Sequence, residues 1–155
     1  MIQNEVLSAI AARRSCRAYL PEQIQPEELQ AVVTAGTWAP TGMNRQSPVI
    51  VAVQDQATRD RLSAINASIM GRDGDPFYGA PTVLVVLADR SVHTCVEDGS
   101  LVMGDLLLAA SSVGLGSCWI HRAKETFETE EGKELLRKWG LDPEKYRGVG
   151  NCILG

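Results

Sequence analysis

Two short polar stretches carry the side chains that could do chemistry. Arg13-Arg14-Ser15-Cys16-Arg17-Ala18-Tyr19 sets three guanidiniums and a hydroxyl within five residues. A guanidinium holds phosphate through paired, directional hydrogen bonds, which an ammonium group does not. Ala39-Pro40-Thr41-Gly42-Met43-Asn44-Arg45-Gln46-Ser47-Pro48 is a loop punctuated by Pro and Gly, with amide and hydroxyl side chains. Asn44 and Gln46 each offer a donor and an acceptor, which suits the edge of a polar ring system. Together the stretches point to a phosphorylated, flat cofactor. Each also has a plain structural reading. Cations gather at helix C-termini because the dipole favours them there, and Pro, Thr, Gly and Asn are ordinary turn residues. That all three cations are arginine favours phosphate.

Other signals are weaker. Gly114-Leu115-Gly116 and Gly148-Val149-Gly150 are only G-x-G, and the first follows a helical pattern. A dinucleotide fingerprint needs strand, turn and helix in that order. No G-x-x-x-x-G-K-[ST] run occurs, which disfavours ATP or GTP chemistry. His121 follows a strand-like segment, where a lone histidine is more often structural or exposed than catalytic. Cys16, between arginines, could be an activated thiol, but nothing nearby in sequence supplies its base. The cysteines at 16, 95, 118 and 152 form no C-x-x-C pair, so no zinc site is expected and free thiols in a reducing cytoplasm are.

The elements that must position these residues follow from periodicity and caps. Asn4 caps a helix over Glu5–Ala12, which leaves Arg13, Arg14 and Arg17 at or past its end. Pro26, with Glu27 and Glu28 behind it, starts a helix whose apolar face is Leu29, Val32, Val33 and Gly36. Pro40 stops it near Trp38. Val49–Val53 reads as a buried strand. Asp55 caps a helix carrying Leu62, Ile65 and Ile69, and a loop follows at Gly71–Pro76. Thr82–Ala88 is a second strand. Cys95–Val113 is the longest helix and is apolar around most of its girth, so it should be buried on every side, in part against a second subunit. Strands at Ser117–Ile120 and Val149–Leu154 flank an exposed, charged helix at Thr129–Trp139. The order implies an α+β sandwich with helices covering a central sheet.

Composition bounds the rest. The 155 residues are expected to form one domain, large enough to bury about 70% of the unfolded surface. A net charge of −4 argues against a nucleic-acid surface. The N-terminus shows no signal-peptide pattern, and no apolar run approaches a membrane span. A cytoplasmic protein is expected.

The spacing of four motifs resembles the FMN-dependent nitroreductase family. They are Arg13-Arg14-Ser15-x-Arg17-x-Tyr19, Ala39-Pro40-Thr41-x-x-Asn44-x-Gln46, Leu115-Gly116-Ser117-Cys118-Trp119-Ile120 and Gly150-x-Cys152-Ile153-Leu154-Gly155, in that order over nearly the whole chain. The resemblance implies a three-layer α+β sandwich around a mixed, mainly antiparallel sheet, and a homodimer with FMN at the interface. It assigns Arg13, Arg14 and Ser15 to the phosphate and ribityl chain, and Arg17 to the pyrimidine side of the ring. It assigns Pro40, Thr41, Gly42 and Asn44 to the flavin of the other subunit, with Gln46 supporting the loop. Trp119, Ile120, His121 and Arg122 would lie along the flavin, and Asn66 matches a family amide that contacts the ring. The implied reaction takes hydride from NADH or NADPH onto the flavin and hands electrons to a nitroaromatic, quinone or similar small acceptor in a ping-pong cycle. No protein residue is assigned as catalytic, since the cofactor carries the chemistry. Two departures stand out. The family loop continues Gln-Pro-Trp where this one has Gln46-Ser47-Pro48, and the C-terminal arm that family members carry after the last strand is expected to be absent. A flavin-binding sensor or carrier without turnover, and a flavin-free thiol enzyme using Cys16, are the competing classes.

Overall fold

A computed structural model describes residues 2–155. In chain order the elements are α1 (Glu5–Ala12), α2 (Pro26–Thr37), a 3-10 turn (Gly42–Asn44), β1 (Pro48–Val53), α3 (Gln56–Met70), β2 (Thr82–Asp89), α4 (Cys95–Ser112), β3 (Ser117–Ile120), α5 (Ala123–Thr126), α6 (Glu130–Lys138) and β4 (Tyr146–Leu154). Local chemistry sets the helix starts. The Asn4 side chain accepts from the Leu7 N–H at 2.9 Å, and Asp55 does the same for Thr58. At α2 the Glu28 carboxylate reaches back to the Gln25 N–H at 2.7 Å, behind Pro26. The Thr129 hydroxyl caps α6.

The strands lie in the order β1-β2-β4-β3 and pair antiparallel throughout. The one parallel pairing among the described residues is an isolated bridge between Ser15 and Ser117, outside the four strands. β2 is buried on both faces, so its sequence Thr82-Val83-Leu84-Val85-Val86-Leu87 shows no polar alternation. Its side chains nevertheless alternate between two layers. Val83, Val85 and Leu87 face Leu62, Phe77, Phe127 and Leu136 under α3, α5 and α6. Leu84, Val86 and Ala88 face Val32, Val102 and Leu106 under α2 and α4.

Two expectations, at β1 and β4, need correction, and one short helix is new. β1 is half-buried, because the strand order leaves it at the margin with β2 as its only neighbour among the described strands. β4 begins at Tyr146, three residues before Val149; a bulge at Val86/Leu87 and two glycines hide its periodicity. α5, between β3 and α6, is too short to show helical spacing. α4, expected to be buried in part against a second subunit, is not enclosed by one chain alone. Val102, Met103, Leu106 and Ala110 are buried, but Leu101 is 49% exposed and Val96 and Val113 are also open to solvent. No helix among the described residues is long and apolar enough to cross a membrane.

Candidate functional site

The arginine stretch leaves the end of α1 and is tied to the outer edge of β3. The Cys16 N–H donates to the Ser117 carbonyl at 2.9 Å, and the Tyr19 hydroxyl folds back onto the Cys16 carbonyl at 2.7 Å. Burial, with Cys16 nearby, pushes the Tyr19 phenol far above its ordinary range, so it stays a neutral donor. The Cys16 thiol donates to the Ala18 carbonyl at 3.1 Å.

The three guanidiniums divide. Arg14 donates to the Ala11 and Arg13 carbonyls at 2.7 and 2.8 Å, so it caps α1. It realises the structural reading of the cluster, closing carbonyls that a helix end leaves open. Arg13 does not. One of its terminal nitrogens is out of solvent with no hydrogen-bond partner, a costly arrangement unless an acceptor completes it. Arg17 is exposed, and its side chain makes no hydrogen bond or ion pair among the described residues. Ser15 is exposed beside it.

The amide loop has a conformation of its own. Met43, Asn44 and Gln46 have φ of 54°, 54° and 51°, in the left-handed region that non-glycine residues seldom enter. The Thr41 hydroxyl accepts from the Gln46 N–H at 3.0 Å, and the Gln46 amide donates to the Asn44 side-chain oxygen at 3.0 Å. Pro40 and Asn44 are exposed, and Thr41 and Gly42 half-buried. Beneath the loop is a cavity of about 270 Å³, bordered by Gly36, Thr41, Gln46, Ile50 and Val102. Asp98, near the start of α4, accepts from the Gly42 N–H at 2.9 Å. The sequence offered only one signal for Asp98, an acidic residue in a largely apolar helix.

The third region is split between core and surface. Trp119 lies over Gly150, where any Cβ would strike the indole, and Ile120 is a core residue at 9% exposure. His121 is exposed, and Arg122 is half-buried with φ of 75° at the start of α5. Asn66 is completely buried and donates to the His121 carbonyl at 2.8 Å, while its own side-chain oxygen has no partner. It therefore shapes the end of β3 from inside.

No hydrogen bond or ion pair among the described residues joins the arginine stretch to the amide loop within one chain. Between them lies an open apolar face. Ile2, Val6, Leu7 and Ile10 along the α1 region, Trp38 after α2, and Leu101 on α4 are all exposed. A groove of about 410 Å³ runs between these helices over Val6, Ala9, Trp38, Asp105 and Leu108. Burial there raises the Asp105 carboxyl above its usual range.

Comparison with known proteins decides the family. The chain is similar to a nitroreductase from Bacteroides fragilis solved with bound FMN: 30% identity, a TM-score of 0.90, and coverage of 99% of this chain and 88% of that one. The chain belongs to the nitroreductase family. The family's own sequence profile matches residues 10–73 of this chain, which takes in both polar stretches. A second nitroreductase with bound FMN, from Desulfitobacterium hafniense, aligns at 30% identity and a TM-score of 0.89 over 99% of this chain and 89% of that one. An FMN reductase [NAD(P)H] from Bacillus subtilis is 26% identical over 137 residues, covering 74% of this chain and 53% of that protein. The nitroreductase fold foreseen from the four motifs is thus the fold found.

Proposed function

We propose that this protein is an FMN-dependent oxidoreductase that passes electrons from NADH or NADPH to nitroaromatics, quinones or similar electron-poor acceptors. The observation that carries the reading is the buried, unpartnered nitrogen of Arg13 at the end of α1, beside the open apolar face. It is the donor a phosphate would complete. Solved relatives that hold FMN support the same reading. When bound, the flavin supplies the redox chemistry, taking hydride from the nicotinamide and releasing electrons to the acceptor in a ping-pong cycle.

The residues of this chain divide the remaining work. Arg13 and Ser15 hold the phosphate end. Arg14 caps α1 and contributes charge to the same region. Arg17, exposed and without a partner among the described residues, would stabilise negative charge on the pyrimidine side of the ring. Pro40, Thr41, Gly42 and Asn44, braced by Gln46, would hold the ring from a second copy. Residues 119–122 would line the flavin site, with Trp119 and Ile120 anchored in the fold, and Asn66 would act through the His121 carbonyl. We read residues 1–155 as one domain that works as a homodimer through the open face of α1, α2 and α4, with four unpaired thiols suited to a reducing cytoplasm.

Titrating the purified protein with FMN, and then following NAD(P)H oxidation with a nitroaromatic or quinone present, tests the proposal. Tight flavin binding with acceptor-dependent oxidation is expected. Protein that stays colourless with added FMN would refute it. Flavin binding without turnover would leave the carrier or sensor reading. Arg17→Ala is expected to lower the flavin midpoint potential, and an unchanged potential would remove Arg17 from its role.

A further inference from the structure

A carboxyl group taken out of water is costly to place unless its oxygens are satisfied. Asp98 is 3% exposed and forms no ion pair among the described residues. It lies in the first turn of α4, where the helix dipole favours an acidic group. Its two oxygens accept from the Gly42 N–H and the Thr94 hydroxyl, each at 2.9 Å.

Three further observations converge on this contact. Thr94 is the N-cap of α4, a position whose hydroxyl ordinarily accepts from the N–H groups of the first turn. Here it makes no capping bond and turns to Asp98 instead. Gly42 has no room for a side chain, because the Thr94 hydroxyl and methyl fill the space a Cβ would need. Directly after Gly42 come the left-handed residues Met43, Asn44 and Gln46. Such backbone persists only where its surroundings over-determine it.

We propose that Asp98 and Thr94 are positioning residues that latch the Thr41–Gln46 loop to α4 and hold its left-handed form. The latch rests on the flavin reading for its purpose: a loop set in advance loses less entropy when it closes on a ring. Asp98 acts through Gly42.

Amide hydrogen exchange on the 155-residue chain reads the latch without any cofactor. Asp98→Ala is expected to speed exchange at Gly42, Asn44, Arg45 and Gln46 by about tenfold, the loss of one hydrogen bond to a carboxyl group. Asp98→Asn keeps an acceptor for the Gly42 N–H and should stay within about threefold of the parent. Thr94→Val keeps the shape of the side chain and removes its bond to Asp98; it is expected to show the same pattern at about threefold, and it serves if Asp98→Ala does not fold. The second arm is the FMN dissociation constant, measured below the unfolding temperature of each variant. It should rise about tenfold in Asp98→Ala and little in Asp98→Asn. Unchanged exchange in both Asp98→Ala and Thr94→Val overturns the latch. Faster exchange with unchanged FMN affinity overturns the positioning role. A parent protein that binds no FMN strikes at the flavin reading, and the exchange arm still decides the latch.

Discussion

The two helical layers of this molecule are finished to different degrees. Under α3, α5 and α6 the largest side chains, Phe77, Phe127, Leu135 and Leu136, are at most 2% exposed, and Trp139 packs against Phe127 with ring centres 5.8 Å apart. On the α1, α2 and α4 side Val32, Met103, Leu106 and Ala110 are fully buried, yet the outer surface leaves Val6, Ile10, Trp38 and Leu101 in solvent. One layer is a complete boundary. The other has the character of an interface with one half present, since contiguous exposed apolar surface marks places where something docks. The arginine stretch and the amide loop follow α1 and α2 on the unfinished side, whereas Asn66, Ile120 and Arg122 belong to the closed one.

The comparison can be broken by substitution. Phe127→Ala, in the closed layer, is expected to lower the unfolding free energy by about 3–5 kcal/mol in urea melts. A loss below about 1 kcal/mol would show that the layer is looser than its burial implies. Leu101→Glu, on the open face, should change the stability of the isolated chain by no more than about 0.5 kcal/mol. It should weaken self-association, seen by sedimentation, by about 2 kcal/mol or more. A Leu101→Glu protein that self-associates like its parent would mean that α4 is not where the copies meet.

Asp75 sharpens the contrast, because it locks the closed layer electrostatically. Burial works against its ionisation, but hydrogen bonds from Arg59, Ser63, Gly79 and Phe77 outweigh it and hold the carboxyl at about 2. A pKa depressed on folding adds stability above the unfolded value of 3.8 that is lost as pH falls through about 2. Asp75→Asn should therefore cost about 1–2 kcal/mol near neutrality, allowing for partial solvent screening, and flatten that acid limb. An acid transition identical to the parent's would count against the lock. The smallest effect belongs to Asp105, whose carboxyl is raised by burial in the open groove. That shift has the opposite sign: its contribution is largest below the ordinary carboxylate range and falls away as pH rises through the raised value. Asp105→Asn should gain about 0.5 kcal/mol near neutral pH and nothing in acid. A gain that persists in acid would point to packing in place of charge.

Most of the fold was legible because caps and periodicity agree. Asn4, Pro26 and Asp55 each mark a helix start, and the apolar run of β2 has no competing interpretation. β1 looked like β2 because composition cannot say which strand lies at a margin; only the pairing order does. α4 looked enclosed because its sequence is apolar nearly all round, and whether water or a second chain covers Leu101 is not written in one chain. The arginine stretch was legible as a cluster but not residue by residue. Arg13 and Arg14 are neighbours, yet one caps a helix and the other has a nitrogen without a partner, and that depends on where α1 ends and the chain turns. Asn66 was noticed by resemblance alone; its burial and its bond to the His121 carbonyl, 55 residues away, left no local pattern. Asp98 stood out only as an acid in a largely apolar helix, because its partner Gly42 is 56 residues away.

The contact of Trp119 with Gly150, and of Trp139 with Phe127, has a practical corollary. The three indoles of this chain report on three separate environments: Trp38 on the bare outer surface, Trp119 between α4 and the sheet, Trp139 in the sealed layer. With two of them changed to phenylalanine, the emission of the third would follow a single zone, so ordinary fluorescence could watch each layer come apart on its own.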